Sequence, residues 1–440
     1  MAVVSGLVPP KLTLEGLKNA NGPVTICGIV HKIRDMGSFA FVMLRTGRYV
    51  LQCVADQALT AQCLDLREGY GIRAQGIVRA DGRAAYGFEI ALSAVEVLSR
   101  LAEPLPVTIN KRKSHISIEA SLEYRPAALR NPAMRAAFKM QEALSRAFRE
   151  YLTAQDFTEI HSPKIVGAGA EGGSNLFKLQ YFDRKVFLAQ SPQFYKQAMV
   201  PVFERVFEIG PVFRAERHNT SRHLNEYTSM DFEMGFIDSM FDVMNMETGL
   251  LRYTLELLER EYAEELRVLD VKMPRIGGDG IPAIRFHDAK AVLESKYGRK
   301  ITSYNDIEPQ EEVLLCQYAQ EELGCPFLFV THYPTSARPF YVMEDPENSE
   351  VTLSFDLLFR GLEITSGGQR IHDYDMQVAK MRRMGLDPAD FEGYLMTHKY
   401  GTPPHGGLGL GLERLTMQLL GLDNIRWTAL FPRDMNRVEP

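Results

Sequence analysis

The chain has 440 residues, with 50 Lys+Arg against 56 Asp+Glu, a formal net charge of −6, 45% hydrophobic and 24% charged residues. These ordinary globular proportions exclude a collagen-like, coiled-coil or mainly disordered chain, and the length predicts two or three domains. The mild acidity argues against a protein coated in basic charge, though local patches can still meet nucleic acid.

The opening MAVVSGLVPPKLTLEGL has neither a basic n-region nor a long apolar h-region. No window approaches the roughly 18 apolar residues of a membrane span. Cys27, Cys53, Cys63, Cys316 and Cys325 are odd in number and lack CxxC spacing. Reduced thiols in a soluble, cytoplasmic protein without a membrane partner are therefore expected, rather than a disulfide framework or a zinc site.

Five runs rich in β-branched and aromatic residues come first: Val24–Val30, Phe39–Leu44, Tyr49–Val54, Tyr70–Val78 and Phe88–Leu98, with Gly28, Gly37, Gly47, Gly82 and Gly87 interrupting or separating them. Five strands in about 80 residues predict a small closed barrel, for which an OB-fold is the natural candidate. A barrel without any ligand fits the pattern as well. Residues 105–130 read as a connector, with Pro106, Pro126 and the basic cluster Lys111, Arg112 and Lys113.

From Pro132 the period becomes helical, through Met134, Ala137, Phe138, Leu144, Phe148 and Leu152, with Asn131 placed to cap. A second amphipathic helix is predicted over roughly Phe241–Leu266. Apolar strand-like runs follow or intervene at Val186–Ala189, Val206–Arg214, Phe327–Thr331, Phe340–Met343 and Thr352–Phe359. Without regular βαβ alternation, this predicts an α+β domain on an antiparallel sheet flanked by helices. The expected division is 1–104, 105–130 and 131–440. Neither GxxxxGK[ST] nor a strand followed by GxGxxG occurs, so a P-loop or dinucleotide fold is not supported.

Three segments set charges or glycines into apolar stretches. The first runs from Phe213-Arg214-Ala215-Glu216 through Arg222-His223-Leu224-Asn225-Glu226-Tyr227 to Asp231-Phe232-Glu233. A salt-bridged surface hairpin accounts for Arg217 and Arg222 but poorly for Arg214 and Asp231, because a charge in an apolar strand needs a partner or a ligand. In the second, Asp356 and Glu363 precede Ser366-Gly367-Gly368-Gln369-Arg370. Such carboxylates suit Mg²⁺ carrying substrate phosphates, and a buried ion-pair network fits as well. In the third, His405-Gly406-Gly407-Leu408-Gly409-Leu410-Gly411 leads into Arg414. Alternate glycines let a flat group lie on the sheet.

Together these segments resemble motifs 2 and 3 of the class II aminoacyl-tRNA synthetases. The helix from Pro132 and the stretch Phe157-Thr158-Glu159-Ile160-His161-Ser162-Pro163 resemble motif 1. Over nearly all its length the chain is similar to the aspartyl-tRNA synthetases of archaeal and eukaryotic type, subclass b. It lacks the large insertion of bacterial-type relatives between motifs 2 and 3. The resemblance implies a five-stranded OB-fold anticodon domain, a class II catalytic domain, and a homodimer around the motif 1 helix and Pro163. It also implies an ATP-dependent, two-step attachment of L-aspartate to tRNA(Asp).

The same resemblance assigns roles. Arg214 and Arg414 are the catalytic pair, on the α-phosphate and on adenine with the γ-phosphate. Glu216, Arg222, His223, Leu224, Tyr227, Glu363 and Gly411 complete the ATP site, with Tyr227 facing adenine. Asp356 and Glu363 hold Mg²⁺. Lys196, in Gln190-Ser191-Pro192-Gln193-Phe194-Tyr195-Lys196-Gln197, and Arg370 bind the side-chain carboxylate. Glu171, Gln193 and Asp231 take the α-ammonium and backbone polar groups, and Ser366 lines the aspartate site.

In the barrel, Arg34, Phe41 and Gln52 match anticodon contacts, Phe41 by stacking. Barrel core is the plain alternative for Phe41. His31 and Ala85 stand where discriminating archaeal-type relatives carry a Trp and a Lys. That predicts an enzyme that also charges tRNA(Asn); the alternative is that His31 is ordinary, since discriminating eukaryotic relatives carry it too. The rival functions are asparaginyl-tRNA synthetase, against which Lys196 speaks, and a synthetase-like paralogue without tRNA charging.

Overall fold

The period-2 runs of the first hundred residues form strands that close on themselves. In the computed structural model, which describes residues 13–111, 116–169, 175–217 and 220–439, these are β1 (Pro23–Asp35), β2 (Ala40–Thr46), β3 (Tyr49–Ala55), β4 (Gly71–Ala80) and β5 (Phe88–Ser99). The order β1-β2-β3-β5-β4 returns to β1, giving a closed five-stranded barrel. Only β3 and β5 pair in parallel. The helix Gln57–Leu64 between β3 and β4 starts at Asp56, whose carboxylate accepts from the Ala58 and Leu59 amides. Ala40, Val42 and Leu44 of β2 and Leu51, Cys53 and Ala55 of β3 fill the core. Their neighbours Phe41, Met43, Gln52 and Val54 therefore face outward.

By internal contacts the chain divides into residues 1–132 and 133–440. In the first unit, residues after the barrel form the short helices Ile118–Glu123 and Arg125–Ala128, with Val107, Ile109 and Ala128 in a small cluster of their own. Arg112 and Lys113 of the basic cluster lie outside the described residues. All five cysteines are free thiols, and among the described residues no helix is long and apolar enough to cross a membrane.

The second unit is built on β6 (Thr158–Glu159), β7 (Arg205–Phe213), β8 (Glu226–Gly235), β9 (Ala283–Arg285), β10 (Phe327–Thr331), β11 (Ser354–Phe359), β12 (Leu362–Arg370) and β13 (His405–Gly411). They form one sheet in the order β9-β10-β11-β12-β13-β8-β7-β6. The six inner strands are antiparallel, as expected, while the edge pairs β9–β10 and β7–β6 are parallel, so the sheet is mixed.

Helices Pro132–Ala154 and Met240–Glu261 cover one face. Met140, Leu144, Phe148, Leu250 and Leu257 pack there against Phe232, Leu357, Leu408 and Leu410. The second helix opens with a capping box between Ser239 and Asp242. The single helix predicted to Leu266 ends at Glu261 and resumes at Ala263–Leu269. Phe340–Met343 is a turn that makes one isolated antiparallel bridge, Val342 to Arg370, rather than a full strand. Its aromatic residues pack against Phe194, Tyr394 and Leu395.

Candidate active site

Strand alternation decides which side chains reach the open face. On β8, Met230, Phe232 and Met234 enter the core, which turns Asp231 and Glu233 the other way. On β13, Leu408 and Leu410 enter the core, which turns Gly407, Gly409 and Gly411 toward those acids. Register aligns Asp356, Ser366, Gly409 and Asp231 as a single row across β11, β12, β13 and β8. A cavity of about 520 Å³ opens over that row.

The residues expected from sequence converge on this cavity. Arg214, Glu216, Arg222, His223, Leu224 and Tyr227 line it, as do Gln193, Lys196, Asp231, Asp356, Glu363, Ser366, Arg370, Gly411 and Arg414. Glu171 lies outside the described residues.

At one end Lys196, on the helix Gln193–Phe203, is 1% exposed. Its Nζ donates to Asp231 Oδ2 at 2.9 Å and to the Leu408 carbonyl at 2.8 Å, and lies 3.3 Å from Glu233 Oε2. Arg370 Nε donates to Glu233 Oε1 at 2.9 Å, and its Nη2 to the Gly407 carbonyl at 2.9 Å. Burial alone would push the Glu233 carboxyl upward, but Arg370 and Lys196 outweigh it and hold the group below its ordinary value. Gly407 leaves the room: a Cβ there would lie 2.2 Å from Glu233 Oε2.

In the middle, Asp356 Oδ2 accepts from Arg338 Nη2 at 2.6 Å, and Arg338 Nη1 donates to Ser366 Oγ at 3.2 Å. The Arg338 guanidinium lies 3.8 Å from the Tyr333 ring centroid. Among the described residues Asp356 Oδ1 is buried and finds no hydrogen-bond partner. Glu363 is pushed up to about 7, by burial first and then by the charge of Asp356. Two mutually repelling carboxylates, one with vacant lone pairs, form a hard oxygen donor set that fits Mg²⁺. Among the described residues no group of three or more His, Cys, Asp or Glu is placed to hold a metal ion.

At the far end Arg214 follows β7. Its backbone amide donates to the Asn225 carbonyl at 2.9 Å, and Asn225 Nδ2 donates back to the Arg214 and Glu216 carbonyls at 2.7 and 2.9 Å. The guanidinium lies 5.7 Å from the Tyr227 ring centroid and 3.9 Å from Glu216. His223 Nδ1 is 2.7 Å from Thr220 Oγ1. Arg414, on the helix Leu412–Leu420, donates Nη1 to the Glu363 carbonyl at 2.9 Å. Arg222 forms an ion pair with Glu312, whose Oε1 accepts the Glu363 amide at 3.1 Å.

On the barrel, Arg34 stands opposite Phe41 in the β1–β2 register. Phe41 is half-buried on the outer face and meets Phe39 edge-to-face at 5.2 Å, which corrects the barrel-core alternative. Gln52 Nε2 on the same face donates to Glu89 Oε2 at 3.0 Å. His31 is buried where the register slips between Val30 and Lys32, so it is the extra residue of a β-bulge. Ala85 is exposed in the turn between β4 and β5.

Residues 117–435 match the family model described as tRNA synthetases class II (D, K and N). The chain belongs to that family. Within the synthetase, residues 24–98 match the OB-fold nucleic acid binding domain. The aspartate–tRNA(Asp/Asn) ligase of Thermus thermophilus is 48% identical over 95% of this chain and 96% of its own length. The enzyme of the same name from Deinococcus radiodurans is 46% identical over 98% of each. The aspartate–tRNA(Asp) ligase of Pyrococcus abyssi is 40% identical over 95% and 96%. Among solved structures, asparaginyl-tRNA synthetase from Pyrococcus horikoshii complexed with asparaginyl-adenylate gives a TM-score of 0.87 at 32% identity, covering 96% of this chain and 98% of that one.

Glu312 and Arg338 of the candidate site escaped the sequence reading, and Glu233, expected on the sheet face with Asp231, was not read as an acid shared by two cations. Glu233 was visible as a charge two residues beyond Asp231, on the same strand face. Arg338, just ahead of Pro339-Phe340-Tyr341-Val342, is a charge abutting an apolar run, the criterion that found Arg214.

Proposed function

We infer that this synthetase is an aspartate–tRNA ligase, joining L-aspartate to ATP as aspartyl-adenylate and passing the aspartyl group to tRNA(Asp). The observation that carries the choice of amino acid is the buried pair Lys196 and Arg370, held around one acid, Glu233. A guanidinium fork and an ammonium suit a carboxylate, whereas a neutral amide would leave one cation poorly matched. The fold alone does not separate aspartate from asparagine, since an asparaginyl enzyme shares it.

In this reading the substrate's α-carboxylate is the nucleophile, so the protein positions and neutralises rather than reacts. Asp231 and Gln193 hold the α-ammonium, with Ser366 beside them. Arg214 draws charge from the α-phosphate as the pentavalent phosphorus forms, with Glu216, Arg222 and His223 along the same anion path. Arg414 and Tyr227 enclose adenine, and Leu224 and Gly411 complete its pocket. Mg²⁺ held by Asp356 and Glu363 would neutralise phosphate charge. Phe41, Gln52 and Arg34 meet the anticodon. Two copies associate around the motif 1 segment, where Pro163 and Ile165 are exposed.

We propose further that tRNA(Asn) is charged as well. The relatives at 42–48% identity carry names with both tRNAs, while those at 40% carry names of either kind. His31 and Ala85 supply less bulk than a Trp and no Lys to reject the wrong first anticodon base. The ratio of kcat/KM for the two tRNAs tests this. A ratio within about tenfold is expected; a preference for tRNA(Asp) of about 10⁴ would end the idea.

A further inference from the structure

Behind the aspartate end of the cavity runs a chain of buried hydrogen bonds. It begins at the Pro403 carbonyl, which can only accept, so His405 Nδ1, 2.9 Å away, carries a proton. His405 is 0% exposed, and burial pushes its imidazole down to about 4. At neutral pH it therefore holds one proton, and Nε2 is an acceptor. Gln197 Nε2 lies 2.8 Å from it and donates. That turns Gln197 Oε1 toward Gln193 Nε2 at 3.0 Å, with the Tyr394 hydroxyl at 3.4 Å on the same oxygen. Gln193 thus spends its NH₂ group on Gln197. Its own Oε1 has no hydrogen-bond donor among the described residues, and Gln193 lines the cavity.

A glutamine amide turned by 180° has nearly the same shape, so packing alone does not choose between its two orientations. We propose that His405 is a positioning residue for amino-acid binding: through Gln197 it fixes the Gln193 amide so that an oxygen, not an NH₂, faces the substrate's α-ammonium. Each acceptor in the relay is set by the donor before it, back to a carbonyl with no choice of role. The inference rests on the reading of Gln193 as an ammonium contact. It adds a buried residue, remote from the ligand, as the source of that contact's polarity.

The test compares binding of L-aspartate and of succinate, which keeps both carboxylates and lacks the ammonium, by titration calorimetry. Wild-type chain, His405→Leu and Gln197→Leu are measured. The wild type should bind aspartate more tightly than succinate. Both variants should weaken aspartate by about tenfold or more, the range of one hydrogen bond to a charged group, and leave succinate within about twofold. Unchanged aspartate binding overturns the proposal. So does equal weakening of both ligands, which would make His405 a prop for Arg370 and Glu233. A wild type that binds the two alike overturns it differently, by removing the ammonium contact itself. Should the variants not fold, a long-range ¹H–¹⁵N spectrum of the wild type reports the tautomer directly. Nδ1–H at His405 is expected; Nε2–H would reverse the relay and overturn the proposal.

Discussion

Arg370 donates its Nε to Glu233 Oε1 at 2.9 Å, and neither side chain reaches solvent appreciably. Glu233 also faces Lys196 at 3.3 Å, so a single acid orients both cations of the proposed amino-acid pocket. Arg370→Gln should nearly abolish aspartate activation, at roughly 2–5 kcal/mol, because a desolvated carboxylate loses its fork and Glu233 loses its closest cation. Aspartate-dependent pyrophosphate exchange checks this, with a thermal melt to verify the fold. Near-normal exchange would remove Arg370 from the site.

Gly407 tests the same platform from below. A methyl group there would meet Glu233 Oε2 and the Phe232 carbonyl, each at 2.2 Å. Gly407→Ala should displace Glu233 and cost about 1–3 kcal/mol of stability. The KM for aspartate should rise more than that for ATP. A stable variant with wild-type KM values would show that the contact relaxes freely.

How far the sequence carried differs between sheet and site. The barrel strands were legible because alternation and glycine punctuation mark them. The row Asp356, Ser366, Gly409 and Asp231 was legible in part, because charges and glycines stood out in apolar strands. The turn at Phe340–Met343 was not, since an aromatic run reads alike in a strand and in a satellite cluster. Glu312 was not either, because it sits in an ordinary acidic helix, Pro309–Glu322, and only the fold brings it to Arg222.

Beneath β12, Glu247 is fully buried, accepts the Thr365 hydroxyl at 2.6 Å on Oε1 and, among the described residues, leaves Oε2 without a partner. Burial pushes its carboxyl up from 4.5 to about 8. Between those values the folded chain keeps a proton that the unfolded chain releases. Its contribution is therefore complete below about pH 4.5 and is lost as pH rises toward 8, at up to about 1.4 kcal/mol per pH unit. Glu247→Gln should flatten this dependence. Urea unfolding of both chains at pH 6 and pH 8.5 checks it, and parallel profiles would count against a protonated Glu247.

On the barrel, Phe41 faces outward beside Gln52 rather than into the core. Phe41→Ala should lower kcat/KM for tRNA by about 5- to 150-fold, the equivalent of about 1–3 kcal/mol of stacking, and leave pyrophosphate exchange unchanged. Loss of exchange as well would mean that the substitution acts through folding.

The central claim is that the pocket of Lys196 and Arg370 selects aspartate. Pyrophosphate exchange with the purified chain, ATP and Mg²⁺, run with L-aspartate and with L-asparagine and without tRNA, tests it most directly. Exchange driven by aspartate with asparagine near background is expected. Exchange driven by asparagine at a rate equal to or above that with aspartate would contradict the account.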